Sequence, residues 1–267
     1  MSSATIPVMA AVALLRGNVT GERMFSLQYV ALFITGFGSM MLHSTLSKVW
    51  QASDELPMLF VTMSMLYTLS EIGAPLRKDR GAMAESPGMH SLATMPVMRD
   101  VHSFVSMLGD RLHCGPKELL FVGIAALNTY IYLSYQEVYA AFLFTYISSV
   151  LSIFIWSTKM FFFDKGASPI AATYLKRFFF VYVVVGSGIW VVDMHMCEQL
   201  APLYRALRGA TFHNVWHVAA GLGSHLATQA FMAQRAHNLG IPVEEKWHLW
   251  GTFPLLVRSS KSKRKMM

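Results

Sequence analysis

Apolar residues gather into long runs at roughly 24–47, 56–73, 118–134, 136–162, 174–195 and 212–233. Each is close to the ~20 residues that a helix needs to cross a bilayer. A shorter run at 4–15 has no basic start and no small-residue cleavage site before Arg16. It reads as a clipped first transmembrane helix rather than a signal sequence. Residues 74–117 instead mix Gly, Pro, Ser and charge, although Val97, Val101, Phe104, Leu108 and Leu112 recur at helical spacing. That segment is expected to be either an amphipathic helix on the membrane surface or a poorly ordered insertion. The pattern predicts an all-α, polytopic membrane protein, a seven-helix bundle with its first helix short or truncated. Residues 1–23 would hold that helix and a cytosolic loop, 24–255 the bundle, and 256–267 a basic cytosolic tail.

Composition agrees with this reading. With 54% hydrophobic and only 14% charged residues, a chain of 267 residues has too little polar surface for an ordinary soluble domain. If the first helix runs from outside to inside, all but three of the 22 lysines and arginines fall on the cytosolic side; the exceptions are Lys48, Arg205 and Arg208. The net charge of +7 is therefore a topology signal, and no basic face suited to nucleic acid emerges. Cys114 and Cys197 fall on opposite sides of the membrane in this topology and cannot pair with each other.

Against this apolar background a few polar residues stand out. His213 and His217 are four apart, so on a helix both imidazoles leave one face a turn apart and can share a metal ion. Ser39 and His43 have the same spacing in another run. The topology puts His43, Asp54, His213 and His217 at the same, non-cytosolic end of the bundle. Three neutral imidazoles with one open position form a catalytic zinc set, in which the metal acidifies a water and polarises a carbonyl. Asp54 suits the general base and Ser39 a hydrogen-bond donor to the developing oxyanion. The reaction expected is hydrolysis of an amide or ester whose body lies in the bilayer.

Each residue also has a plainer reading. A lone membrane histidine such as His43 packs and hydrogen-bonds more often than it binds metal, and Ser39 could bond its own backbone. Asp54 reads equally as an amino-terminal cap of the third helix, with Ser53 competing for that place. Only the combination favours a site.

Three blocks carry a resemblance: Gly-Ser-Met-Met-Leu-His-Ser-Thr-Leu at 38–46, Asp-Glu-Leu-Pro-Met at 54–58, and Phe-His-Asn-Val-Trp-His-Val-Ala-Ala-Gly-Leu-Gly-Ser-His at 212–225. They resemble the signature blocks of the alkaline ceramidase family, part of a superfamily of seven-helix membrane hydrolases that includes the adiponectin receptors. Trp190 through Asp193 and Trp250 through Pro254 are similar to further family segments, and the match runs from about 24 to 255. The resemblance implies zinc on His43, His213 and His217, an oxyanion-stabilising Ser39 and a general base at Asp54. Ceramide would be cut into a sphingoid base and a fatty acid. It also implies a supporting polar role for Asp193, with a plain interhelical hydrogen bond as the alternative, whereas Trp216 reads as an interfacial anchor.

Two features depart from the family pattern. The family's amino-terminal acidic segment, which resembles a calcium site and carries the cysteine that would partner Cys197, is not in this sequence, so either the true start lies outside it or the calcium site is lost; the 74–117 connection is also longer than the family's. The ending Lys263-Arg264-Lys265-Met266-Met267 looks like a Lys-x-Lys-x-x retrieval signal, or else a basic tail drawn to anionic lipid, so endoplasmic reticulum or Golgi membrane is expected. Asn18-Val19-Thr20 is a glycosylation sequon that this topology leaves in the cytosol, unused. Competing readings are an ester-cleaving relative, a non-catalytic zinc receptor for lipid, and a histidine-lined transporter.

Overall fold

A computed structural model describes residues 5–45, 48–73, 116–135, 139–163, 166–207, 211–248 and 253–259. The amphipathic stretch at 97–112, Cys114, the basic ending and the side chains of His43 and Cys197 lie outside the described residues. The chain divides into two compact units, Met1–Ile72 with Thr145–Met267, and Gly73–Phe144.

The described residues are mostly helical. In order they form α1 (Thr5–Arg16), α2 (Arg23–Thr45), α3 (Lys48–Glu71), α4 (Pro116–Ser134), α5 (Tyr139–Thr158), α6 (Pro169–Phe178), α7 (Ser187–Ala206) and α8 (Phe212–Asn238). α5 runs on as a π-helix over Lys159–Phe163, and α6 as one over Phe179–Gly186 that leads directly into α7. Among the described residues, three stretches are long and apolar enough to cross a membrane: Arg23–Leu42, Ala140–Phe163 and Pro169–Met196. The all-helical expectation needs one correction. Two strands, β1 (Val243–His248) and β2 (Phe253–Arg258), pair antiparallel with Val243 opposite Arg258, so the expected boundary at residue 255 falls inside β2.

In the first unit α8 is the central element. From His225 to Ala236 every residue is buried, and α1, α2, α3, α6, α7 and both strands pack on it. Small residues let the neighbours approach closely. A Cβ on Gly221 would lie 2.7 Å from Ile6, and one on Gly36 2.8 Å from the same side chain, so Ile6 of α1 is wedged between α2 and α8. Ile155, Phe180 and Val184 are exposed, each more than 60% accessible.

Buried polar groups at the far end of α8 are paired. Arg235, 2% exposed, forks onto the Glu22 carboxylate at 2.8–3.2 Å and also donates to the carbonyls of Glu71 and Ile72. His225 stands between the Tyr29 hydroxyl (3.1 Å) and the Pro254 carbonyl (2.8 Å), while Gln229 donates to Tyr29 and accepts from the Leu256 amide. These bonds fasten the hairpin to the helical core. The Asn18 amide is spent on Glu22 and Ser26 in the turn between α1 and α2, where Gly21 takes a left-handed φ of 76°. The second unit, as far as described, consists of α4 and the start of α5, with Tyr132 edge-on to Phe142.

Candidate active site

The start of α8 is set by its cap. Thr211, in an extended conformation, accepts a hydrogen bond from the Asn214 amide, which places His213 and His217 in the first two turns. Their Nε2 atoms face each other at 3.0 Å. The hydroxyl of Ser39, fully buried on α2, lies 3.4 Å from Nδ1 and 3.5 Å from Nε2 of His217. Ser39 also hydrogen-bonds Asp54 of α3, whose Oδ1 is buried with no hydrogen-bond partner among the described residues. The structure thus brings together Ser39, Asp54, His213 and His217 from three helices. His43 belongs to α2, one turn beyond Ser39, and only its backbone is described.

Two local features make this meeting possible. At Gly38 an added Cβ would collide with the carbonyl of Ser53, so α2 and α3 touch backbone to backbone beside Ser39 and Asp54. Helix α3 begins at Lys48, which puts Ser53 and Asp54 in its second turn. Asp54 is therefore not an amino-terminal cap, and neither is Ser53; the carboxylate points from a helix interior toward α2.

Behind the histidines lies a second tier. The Asp193 carboxylate of α7 reaches His213 Nδ1 at 3.5 Å, and the buried Tyr204 hydroxyl donates to its other oxygen at 2.6 Å. Trp216 packs edge-on against His217 with ring centres 4.6 Å apart and lines the adjoining cavity, which an interfacial anchor alone would not do.

That cavity, about 50 Å³, opens beneath His217 between Leu32, Met65, Val150, Ile153 and Gly221. Its wall is apolar except for Thr35, Thr62, Ser224 and the hydroxyls of Tyr146 and Tyr182, which share a 2.6 Å hydrogen bond. Met58 and Met65 give the wall flexible, polarisable side chains.

A polar cluster where three helices meet, beside an apolar cavity, gives this helical protein a site suited to a ligand with one polar group and an apolar body. The Ceramidase family model matches residues 1–257. The chain belongs to the ceramidase family, hydrolases that act on the amide bond of ceramide. It is similar to a putative alkaline ceramidase of Dictyostelium discoideum, 25% identical over 81% of this chain and 70% of the relative. An alkaline ceramidase of Arabidopsis thaliana is 24% identical over 87% of this chain and 74% of its own length. Alkaline ceramidase 3 of Mus musculus is 24% identical over 82% and 69% respectively.

Among the described residues no three His, Cys, Asp or Glu side chains gather as a metal-binding group. Two imidazole nitrogens do converge. Two ligands of a tetrahedral zinc, with bonds of about 2.0–2.1 Å, stand about 3.3–3.4 Å apart. The observed 3.0 Å between the Nε2 atoms needs only a small adjustment to meet that figure.

Proposed function

We propose that the chain is a zinc-dependent amidase integral to the membrane, a seven-helix bundle that hydrolyses ceramide to a sphingoid base and a free fatty acid. The observation that supports it best is the convergence of the two Nε2 atoms, 3.0 Å apart, beside Ser39 and the buried Asp54 oxygen that has no partner among the described residues. His43, His213 and His217 would hold the metal. When bound, zinc would bring a water toward its hydroxide form near neutral pH and polarise the amide carbonyl.

The chain's own groups account for the rest. Asp54 takes the proton of the attacking water and hands it to the departing nitrogen as the C–N bond breaks, leaving a free amine and a carboxylic acid. Ser39 donates to the amide oxygen as its charge grows. Trp216 and the apolar wall beneath His217 keep bulk water out, which strengthens both interactions. Membership in the family supplies the substrate class, and the apolar helices fit a protein that meets its substrate within the bilayer. Location in the endoplasmic reticulum or Golgi membrane, with the carboxyl tail in the cytosol, follows from the sequence features alone.

The test is direct. Protein purified in detergent should carry one zinc per chain and release fatty acid from ceramide. His217→Ala should lose both. A wild-type protein that cleaves ceramide without stoichiometric metal would remove the zinc mechanism while leaving the enzyme class intact.

A further inference from the structure

Asp193 and Tyr204 are eleven residues apart in one helix, yet the tyrosine hydroxyl lies 2.6 Å from the aspartate Oδ1. In a straight α-helix that separation is three turns, about 16 Å of rise, beyond the combined reach of the two side chains. The contact exists because α7 breaks at Met196, where φ is −121° and ψ 16°. The break brings the carboxyl-terminal half of α7 back toward Asp193, and Tyr204 is buried there edge-on to Phe212, the residue that precedes His213.

The other oxygen of the same carboxylate lies 3.5 Å from Nδ1 of His213. A carboxylate at Nδ1 favours the tautomer with the proton on that nitrogen, which leaves Nε2 as a lone pair aimed at His217 Nε2. Tyr204 fixes the carboxylate that fixes the imidazole. We infer that Asp193 and Tyr204 are positioning residues that hold His213 in its metal-binding tautomer and orientation, with the break at Met196 as the device that brings them together. The inference rests on the zinc reading of this site.

Zinc affinity, measured by competition with a chromogenic chelator on the detergent-purified full chain, provides the test. Asp193→Asn should weaken zinc binding about 10- to 100-fold. Tyr204→Phe, which keeps the ring against Phe212, should weaken it less, by about threefold or more. The double variant should match Asp193→Asn alone if the hydroxyl acts on zinc binding through the carboxylate. The metal-free variants should unfold at the wild-type temperature. Should Asp193→Asn fail to fold, the affinity of Tyr204→Phe and the ¹⁵N signature of the His213 tautomer decide. A wild type that binds no zinc overturns the reading of the site. A wild type that binds zinc, with both variants equal to it or with additive losses, overturns this inference alone.

Discussion

Gly38 and the carbonyl of Ser53 occupy adjoining space that leaves no room for a side chain. The hydroxyl of Ser39 and the carboxylate of Asp54 follow directly on these two residues, so their meeting depends on this backbone contact. Gly38→Ala must push α2 away from α3. The expected result is a loss of about 1–3 kcal/mol from overpacking, with ceramide cleavage falling at least about tenfold because misplaced catalytic groups are costly. Thermal unfolding and turnover measured on one preparation check both parts.

The pair Arg235 and Glu22 predicts an asymmetry. Arg235 is 2% exposed, whereas the Glu22 side chain is 21% exposed. Glu22→Ala leaves a buried guanidinium charge without this carboxylate, a loss of the order of 3–5 kcal/mol. Arg235→Met removes the buried charge and leaves a carboxylate that water can reach, so it should be the milder change. Equal shifts in thermal midpoint for the two variants would contradict this account.

His225 ends the third signature block but sits two turns from His217, where it holds the Tyr29 hydroxyl and the Pro254 carbonyl. Both of its ring nitrogens are engaged in these contacts. His225→Ala takes the imidazole from the buried Pro254 carbonyl and leaves the Tyr29 hydroxyl with Gln229 alone, a loss of about 1–3 kcal/mol. Stability should fall and the hairpin should become sensitive to proteolysis, while zinc content per folded chain stays at the wild-type level.

Much of the site was legible because the helical period does the placing: Ser39 with His43 and His213 with His217 share a face by spacing alone. For Asp54 the sequence leaves open a plain alternative as a helix cap, because the apolar run begins at 56, whereas α3 begins at Lys48 in a polar stretch and puts Asp54 inside the helix. Tyr204 could not be found in this way. Its contact depends on a break at Met196 that no proline or glycine marks there, since Pro202 comes six residues later. The π-helical segments also left no periodic signal, although Phe179–Gly186 carries the Tyr182 that meets Tyr146 in the cavity wall. The hairpin was hidden for a different reason: Phe253 to Val257 is a short apolar run that, without its partner strand, reads as the last part of a helical bundle.

Filling the cavity separates substrate selection from metal binding. Ala220 lines the space of about 50 Å³ beneath His217, and its methyl group cannot ligate a metal. Ala220→Leu adds three carbons to that space. Cleavage of long-chain ceramides should lose about tenfold or more in kcat/KM, short-chain ceramides much less, and zinc affinity should not change. Equal losses for long and short chains would mean that the hydrocarbon body binds elsewhere.

Asp54 and Ser39 should fail in different degrees while leaving the metal in place. Asp54 Oδ1 is buried and has no partner among the described residues, the condition of a group kept available for an incoming proton. Asp54→Asn cannot accept that proton and should lower kcat about 10²–10⁴-fold. Ser39→Ala removes one donor to the amide oxygen, and about 10²-fold is the expected scale of that loss. Because neither is a proposed ligand, zinc per chain should remain near one in both, in contrast to His217→Ala. Retained turnover in Asp54→Asn would assign the proton transfer to another group. Lost zinc in Asp54→Asn would instead make the carboxylate a ligand and leave the general base still to be found among the residues around the cavity.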